Sequence, residues 1–385
     1  MTKQQKTLKI LQIGKFYPIR GGVEKVMYDL TLGLSEQQVH CDMLCASTED
    51  YPATDIILND YARLMIVPTA YKLAATMLAP RLISRLRRVA HHYHIIHIHH
   101  PDPMAALALY LSGYKGEVVL HWHSDIIKQK VLLHLYAPLQ RWLIRRAARI
   151  VGTSPVYVQE SPFLKNVQNK IDYIPIGIET MPADQELIKT IKARYGQKKI
   201  VFSLGRLVDY KGYTYLIQAA QFLPEDVQII IGGKGPMKQE LTDLIQTLGV
   251  AAKVVLIDFI PDQDLAGYYG ASDLFCLSSI MKTEAFAIVQ IEAMSFGKPV
   301  VSTQIPGSGV SWVNKHGESG LTVPIADAVG LATAINAMLK DNRLYKSLSD
   351  GASTRFSNLF TRQSMIEKSI QLYTNIMECT FKNNV

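Results

Sequence analysis

The stretch Lys199-Ile-Val-Phe-Ser-Leu-Gly-Arg-Leu-Val-Asp-Tyr-Lys-Gly212 reads as a buried strand, a turn at Gly205, and a loop that carries Arg206 and Lys211 into a helix. A short apolar run closed by glycine suits the first strand of a parallel sheet covered on both faces. The other half of the chain opens alike: Leu8 to Ile13 forms a strand that runs into the glycine loop Gly14 to Gly22 and a helix from Val23. Each opening is the first unit of a doubly wound α/β sheet, whose ligands lie at the carboxyl ends of the strands. Further strands are expected at Val227 to Ile231, Val254 to Ile257, Leu274 to Leu277 and Pro299 to Ser302, separated by segments of helical length, which favours parallel pairing. Periodicity is lost over Ile174 to Pro182, which places a linker there, and Thr361 to Phe381 reads as a final helix. Two such sheets facing one another would make a cleft.

The chemistry-bearing residues cluster after these strands. Arginine offers a fork to two phosphate oxygens and lysine a point charge, so Arg206 and Lys211 together suit a diphosphate. Further on, Lys282-Thr-Glu-Ala-Phe-Ala-Ile-Val-Gln-Ile-Glu292-Ala-Met sets Glu284 and Glu292 around an expected helix start at Phe286. The amides of Phe286, Ala287 and Ile288 would then form an anion site. Glu284 on the preceding loop and Glu292 on the second turn could accept hydrogen bonds from the hydroxyls of a sugar and a ribose. Read alone, the same residues also fit a surface helix with an acid at its positive end. Gly232-Gly-Lys-Gly235 follows a strand and reads as a turn or a weak phosphate loop, while Gly21 and Gly22 let backbone approach a ligand closely.

The 385 residues suffice for two ordinary domains, and 48% hydrophobic content fits a soluble α/β enzyme. The longest apolar runs fall short of a membrane span, and Leu8 to Ile13 is too short for a secretion signal, so the cytoplasm is expected. Cys41, Cys45, Cys276 and Cys379 are read as reduced packing residues. Residues 1–180 hold 21 Lys and Arg against 14 Asp and Glu, a positive excess that asks for an acidic partner. Two basic helices concentrate it. One sets Arg81, Arg85 and Arg88, with Arg87 alongside, against an apolar stripe of Leu82, Ile83, Leu86 and Val89; the other carries Arg141, Arg145 and Arg149 with Arg146. Either can rest on anionic lipid or simply be a core stripe with a solvated face.

Two groups imitate metal sites. His97 and His99 would share one face of a strand, a start for zinc that no further ligand completes by spacing, so the segment His91 to His100 is read as a polar strand end. Asp262-Gln-Asp264 follows Pro261 and precedes a helix, so helix capping explains both acids. His123 lies just past the apolar run Val118 to Leu120, at a strand end flanked by His121, with Asp125 placed to orient the loop.

In order and spacing, Gly21-Gly-Val-Glu24, His123-Ser-Asp125, Gly205-Arg206 with Lys211, and Glu284 with seven residues before Glu292 resemble the retaining glycosyltransferases of family 4. The resemblance runs from about Lys9 to Tyr373 and implies the GT-B fold: two Rossmann-like domains, residues 1–178 completed by about 361–385 and residues 179–360, with the last helix crossing back. It implies a nucleotide-sugar co-substrate with no metal and no other cofactor. Arg206 and Lys211 would hold the leaving diphosphate, Glu284 the sugar, Glu292 the ribose and His123 the sugar again. Gly21 and Gly22 would lie near the donor phosphates or the acceptor, and Gly205 and Gly233 would line the nucleotide pocket. One departure is Ala287, where members usually carry glycine; its methyl would crowd the donor sugar.

The runs His123-Ser-Asp-Ile-Ile-Lys-Gln-Lys130, Tyr136-Ala-Pro-Leu-Gln140 and Thr153-Ser-Pro-Val-Tyr-Val158 are similar to bacterial mannosyltransferases of O-antigen synthesis. That implies GDP-mannose and a lipid-linked glycan acceptor, with UDP-sugars left open; together with the basic excess and arginine stripes of the first half, it leads to the expectation of an enzyme peripheral on the inner face of the membrane. A dinucleotide-dependent oxidoreductase would share the strand and glycine-loop pattern, but the first half lacks Gly-x-Gly-x-x-Gly after its opening strand. A nucleic-acid-binding module would account for the basic half and not for Glu284 and Glu292.

Overall fold

The computed structural model describes residues 8–19, 22–48, 50–73, 76–126 and 130–383. Its contacts divide the chain into two units, Met1–Gly177 with Arg362–Val385, and Ile178–Thr361.

Unit 1 is built on β1 (Lys9–Tyr17), β2 (His40–Ser47), β3 (Thr54–Asn59), β4 (Ala62–Val67), a separate antiparallel ribbon of β5 (Tyr71–Leu73) and β6 (Thr76–Leu78), then β7 (Ile95–His100), β8 (Glu117–Trp122), β9 (Arg149–Gly152) and β10 (Ile171–Tyr173). The main sheet has the order β10-β9-β8-β7-β1-β2-β4-β3, parallel except for the edge strand β3. Its central strands are buried on both faces, as parallel sheets require. β1 runs beyond the expected end at Ile13, because Gly14 (φ 120°) and Lys15 (φ 57°) form a bulge after which pairing with β2 resumes at Phe16.

The covering helices are α1 (Gly22–Glu36), α2 (Pro80–Val89), α3 (Pro103–Ser112), α4 (Lys130–Arg146) and α5 (Pro155–Gln159). Asp102 caps α3 by accepting from the Ala105 amide at 2.9 Å, and also holds the bulge through the Lys15 amide at 2.7 Å. The basic helix α4 ends at Arg146, so Arg149 does not continue its stripe; it sits in β9 and forks onto Asp172 at 2.6 and 2.9 Å.

Unit 2 contains α6 (Gln185–Tyr195), β11 (Lys199–Leu204), α7 (Tyr213–Ala219), β12 (Val227–Gly232), α8 (Lys238–Thr247), β13 (Val254–Ile257), α9 (Asp262–Ala271), β14 (Leu274–Leu277), α10 (Ile288–Ser295), β15 (Val300–Thr303), α11 (Val310–Val313), β16 (Gly320–Val323), α12 (Ala328–Lys340) and α13 (Asn342–Leu359). Its six strands run parallel in the order β13-β12-β11-β14-β15-β16. The last strand, β16, was not expected from the sequence. Burying the Ile and Val of β12 contributes about 1.5–3 kcal/mol per side chain.

The last helix, α14 (Arg362–Asn383), belongs to unit 1. Met365, Ile366, Ser369, Leu372, Tyr373 and Ile376 form its buried face at helical spacing. It packs on α1 at Gly33, where a β-carbon would stand 2.0 Å from Ile366 Cδ1, so the two backbones approach only because that residue is glycine. Two doubly wound α/β units with such a returning helix are the GT-B architecture.

Candidate active site

In unit 2 the carboxyl ends of β11, β12 and β14 bring the phosphate-type residues together. The Gly205 turn and the Gly232 turn are pressed against one another: a β-carbon at Gly233 would lie 1.9 Å from the Gly205 carbonyl oxygen, and the Leu207 amide donates to the Lys234 carbonyl at 2.9 Å. Gly212 (φ 65°) ends the 3₁₀ turn Asp209–Lys211 and starts α7, with no room for a side chain because the Ser278 carbonyl oxygen would be 2.1 Å away. This turn carries Lys211 inward and leaves Arg206 outward. Lys211 is 8% exposed and its Nζ donates to Glu284 Oε2 at 2.5 Å. Arg206 is exposed, and its Nη2 donates to the Tyr210 hydroxyl at 3.2 Å.

Glu284 is anchored a second time, by the Ser279 hydroxyl donating to the same Oε2 at 2.9 Å. The Ser308 hydroxyl donates to the Glu284 carbonyl and the Thr303 hydroxyl to the Ser279 carbonyl, so the loop is fixed from β15 and the turn after it. α10 begins at Ile288, two residues after the expected start at Phe286. The reason is Ala287, whose left-handed φ of 62° and ψ of 79° cannot belong to a right-handed helix, so it becomes the N-cap. Phe286 therefore adds no amide to the first turn; its ring is buried and packs edge-on against Phe360. Ile288 and Val289 supply the first amides, since the Gln290 amide already donates to the Ala287 carbonyl at 3.0 Å. Glu292 projects from the second turn, and its Oε2 accepts from the Tyr269 hydroxyl at 2.6 Å. Burial, reinforced by Glu292, raises Tyr269 well above the usual tyrosine range, which keeps that hydroxyl a donor. Tyr269 and Ser279 were not anticipated: 23 and 5 residues from their glutamates, they look in sequence like ordinary core and loop residues.

Asp262 and Asp264 occupy the first turn of α9, where Pro261 is the N-cap and no side chain caps the helix. They favour the helix through its dipole and do not cap it, a correction that leaves them as ordinary first-turn acids.

In unit 1, His123 lies one residue past β8, with Asp125 tying the following turn to Trp122 Nε1 at 2.9 Å, the Ser161 hydroxyl at 2.7 Å and, through its amide, the Tyr157 hydroxyl at 2.8 Å. The His123 ring points inward and is 4% exposed. The registers Gln12↔His97 and His99↔His121 put Gln12 and four histidines on one sheet face, and the rings of His97, His99, His121 and His123 stack at 4.0–5.2 Å. His99 Nε2 meets Gln12 Oε1 at 2.7 Å, His99 Nδ1 meets His123 Nε2 at 2.8 Å, and His97 Nδ1 meets the Tyr373 hydroxyl of α14 at 2.5 Å. Burial pulls all four rings below the usual histidine range, His121 to about 3. Nitrogens of His97, His99 and His121 lie within 4.8 Å of one another. Their ring planes lie 14–26° apart, and His121 stands where sequence spacing offers no third ligand beside His97 and His99.

Gly21 lies outside the described residues, and Gly22 is the exposed first residue of α1. On α2, Leu82, Leu86 and Val89 are buried, Arg85 pairs with Asp55, and Arg87 Nη2 donates to the Leu111 carbonyl at 2.7 Å. Arg81 and Arg88 stand exposed. Cys41, Cys45 and Cys276 are buried thiols, whereas Cys379 is exposed on α14 and is not a packing residue.

Comparison with known proteins agrees with this fold. Residues 184–355 match the model of glycosyl transferases group 1, and residues 20–181 that of Glycosyltransferase Family 4. The chain is 28% identical over 375 residues to O-antigen chain mannosyltransferase C of Escherichia coli, covering 96% of this chain and 99% of that protein. It is 29% identical over 350 residues to D-rhamnosyltransferase WbpZ of Pseudomonas aeruginosa, covering 89% and 88%. Among solved structures, sucrose-phosphate synthase from Thermosynechococcus elongatus superposes with a TM-score of 0.77 at 20% identity, over 96% of this chain and all of that one. Anabaena Alr3699/HepE in complex with UDP gives 0.74 at 20% identity, with coverage of 96% and 100%. The chain belongs to glycosyltransferase family 4 and has the GT-B fold.

Proposed function

We propose that the chain transfers a hexose with retention of anomeric configuration, mannose from GDP-mannose, to a hydroxyl of a lipid-linked glycan during surface polysaccharide synthesis. The observation that carries this is the anchoring of Glu284: Lys211 and Ser279 both bind Oε2, which turns the carboxylate into a fixed acceptor beside the α10 amides. Glu292, set by Tyr269, is the corresponding acceptor for the ribose. As the nucleoside diphosphate departs, negative charge grows on its phosphates. Lys211 and the first amides of α10 are fixed donors for that charge, the most effective form of transition-state stabilisation, and the exposed Arg206 adds its guanidinium from the same loop. The proton of the acceptor hydroxyl leaves on the phosphate oxygen, and no metal enters the scheme. Mannose is favoured by the O-antigen mannosyltransferase that aligns over nearly all of this chain.

The acceptor's lipid anchor gives unit 1 its part. Arg81 and Arg88 are exposed on α2, and Leu107, Tyr110 and Leu111 are exposed on α3, which packs beside it. An apolar and aromatic patch edged by arginine is the composition of a surface that rests on anionic lipid from the cytoplasmic side. The test is a donor screen: GDP-mannose against UDP-glucose, UDP-galactose and N-acetylated donors, with a polyprenyl-diphosphate-linked acceptor, in the presence of excess EDTA. GDP-mannose should be transferred with retained configuration. Preference for a UDP-sugar overturns the donor, and activity that returns only with added manganese or magnesium overturns metal independence.

A further inference from the structure

Ala287 holds a conformation that alanine avoids. In the left-handed region the β-carbon crowds the following carbonyl, a strain that glycine escapes. The turn is pinned on both sides of it. The Gly309 amide donates to the Ala285 carbonyl at 2.9 Å, and the Gln290 amide donates to the Ala287 carbonyl at 3.0 Å. Both bonds use backbone atoms that glycine would supply equally well, so nothing in the pairing of this turn calls for a methyl group. Backbone strain that the surroundings hold in place clusters at ligand sites. This residue is 7% exposed; along the chain it immediately precedes Ile288 and Val289, which supply the first amides of α10, and it lies three residues after the anchored Glu284.

We propose that Ala287 is a specificity-determining residue, whose methyl narrows the space before the α10 amides and excludes donors whose sugar ring carries a group larger than hydroxyl. The inference rests on the reading of this helix start as the donor site. A methyl is small, but a packed pocket discriminates against one surplus group by about 10- to 200-fold.

The test is Ala287→Gly, compared with wild type for kcat/KM with GDP-mannose and with its 2-acetamido-2-deoxy analogue, alongside thermal unfolding. The variant should unfold about 2–4 °C higher, as relief of left-handed strain in a unit of this size implies. The ratio of analogue to parent should rise about tenfold or more. A ratio within twofold of wild type, or a lower unfolding temperature, overturns the proposal. Should wild type ignore GDP-mannose, the donor assignment falls alone, and the same ratio is read from UDP-glucose and UDP-N-acetylglucosamine. Inactivity with every nucleotide sugar overturns the site reading and this inference with it.

Discussion

Lys211 and Glu284, 73 residues apart, meet at 2.5 Å with side chains only 10% and 11% exposed. Removing one partner of such a pair leaves the other charge desolvated and alone. Lys211→Ala should therefore destabilise unit 2 by about 3–5 kcal/mol and lower transfer by roughly a hundredfold or more. The double variant Lys211→Ala, Glu284→Ala should regain part of the stability and none of the activity. Denaturant unfolding and turnover, measured on all three variants, check this; equal stability of the single and double variants would refute the pairing argument.

Arg206 separates chemistry from folding. Its guanidinium is exposed and bonds Tyr210 of the same loop, so Arg206→Ala should change stability by no more than about 0.5 kcal/mol. Transfer should still fall about a hundredfold, near 2.7 kcal/mol of barrier. A variant that turns over normally would remove arginine from the diphosphate site.

The histidine stack should make unit 1 acid-labile. A ring whose folded value lies below 6.5 binds fewer protons folded than unfolded, so its contribution is complete above about pH 6.5 and is lost as pH falls towards the folded value. For His121 that window runs from about 6.5 to about 3. Each such ring steepens the loss by up to about 1.4 kcal/mol per pH unit. Unfolding followed by denaturant at pH 7.5, 6.5 and 5.5 should show the fall, and His121→Phe should flatten it. An unchanged slope in that variant would mean that this ring is already protonated in the folded protein.

On α2 the structure divides four arginines into two kinds. Arg81, Arg87 and Arg88 are all exposed, but Arg85 and Arg87 are tied to other parts of unit 1, Arg85 to Asp55 and Arg87 to the Leu111 carbonyl. Arg81→Gln with Arg88→Gln should weaken binding to anionic liposomes by up to about 2 kcal/mol, roughly thirtyfold, and 1 M salt should do much the same to wild type. Co-sedimentation with and without anionic lipid decides it; retention of wild-type binding by the double variant would leave these arginines as a solvated face.

Much of this was legible because hydrophobic runs and glycines report strands and their ends. β13 and β14 fall where their apolar residues predict, and β11, β12 and β15 within a residue of it. Other features depend on groups far away in sequence. β16 has four residues, and only pairing with β15 distinguishes it from a turn. The start of α10 is set by one backbone torsion at Ala287, which composition does not disclose. The inward-turned His123 ring meets His99, and His99 in turn is held by Gln12, residues that lie on two other elements. The motif places Glu284 and Glu292, but the groups that orient them come from packing.

The attachment of α14 to unit 1 bears on the order in which the protein can be made. Tyr373 is fully buried and bonds His97 and Gln12, and Ile366 fills the notch at Gly33. On the ribosome, residues 8–177 emerge with that flank bare, and the whole of Ile178–Thr361 must follow before its cover is synthesised. The unit begun first is thus finished last, and its histidine face stays open to solvent and to other chains throughout elongation, a state in which nascent proteins aggregate or recruit chaperones.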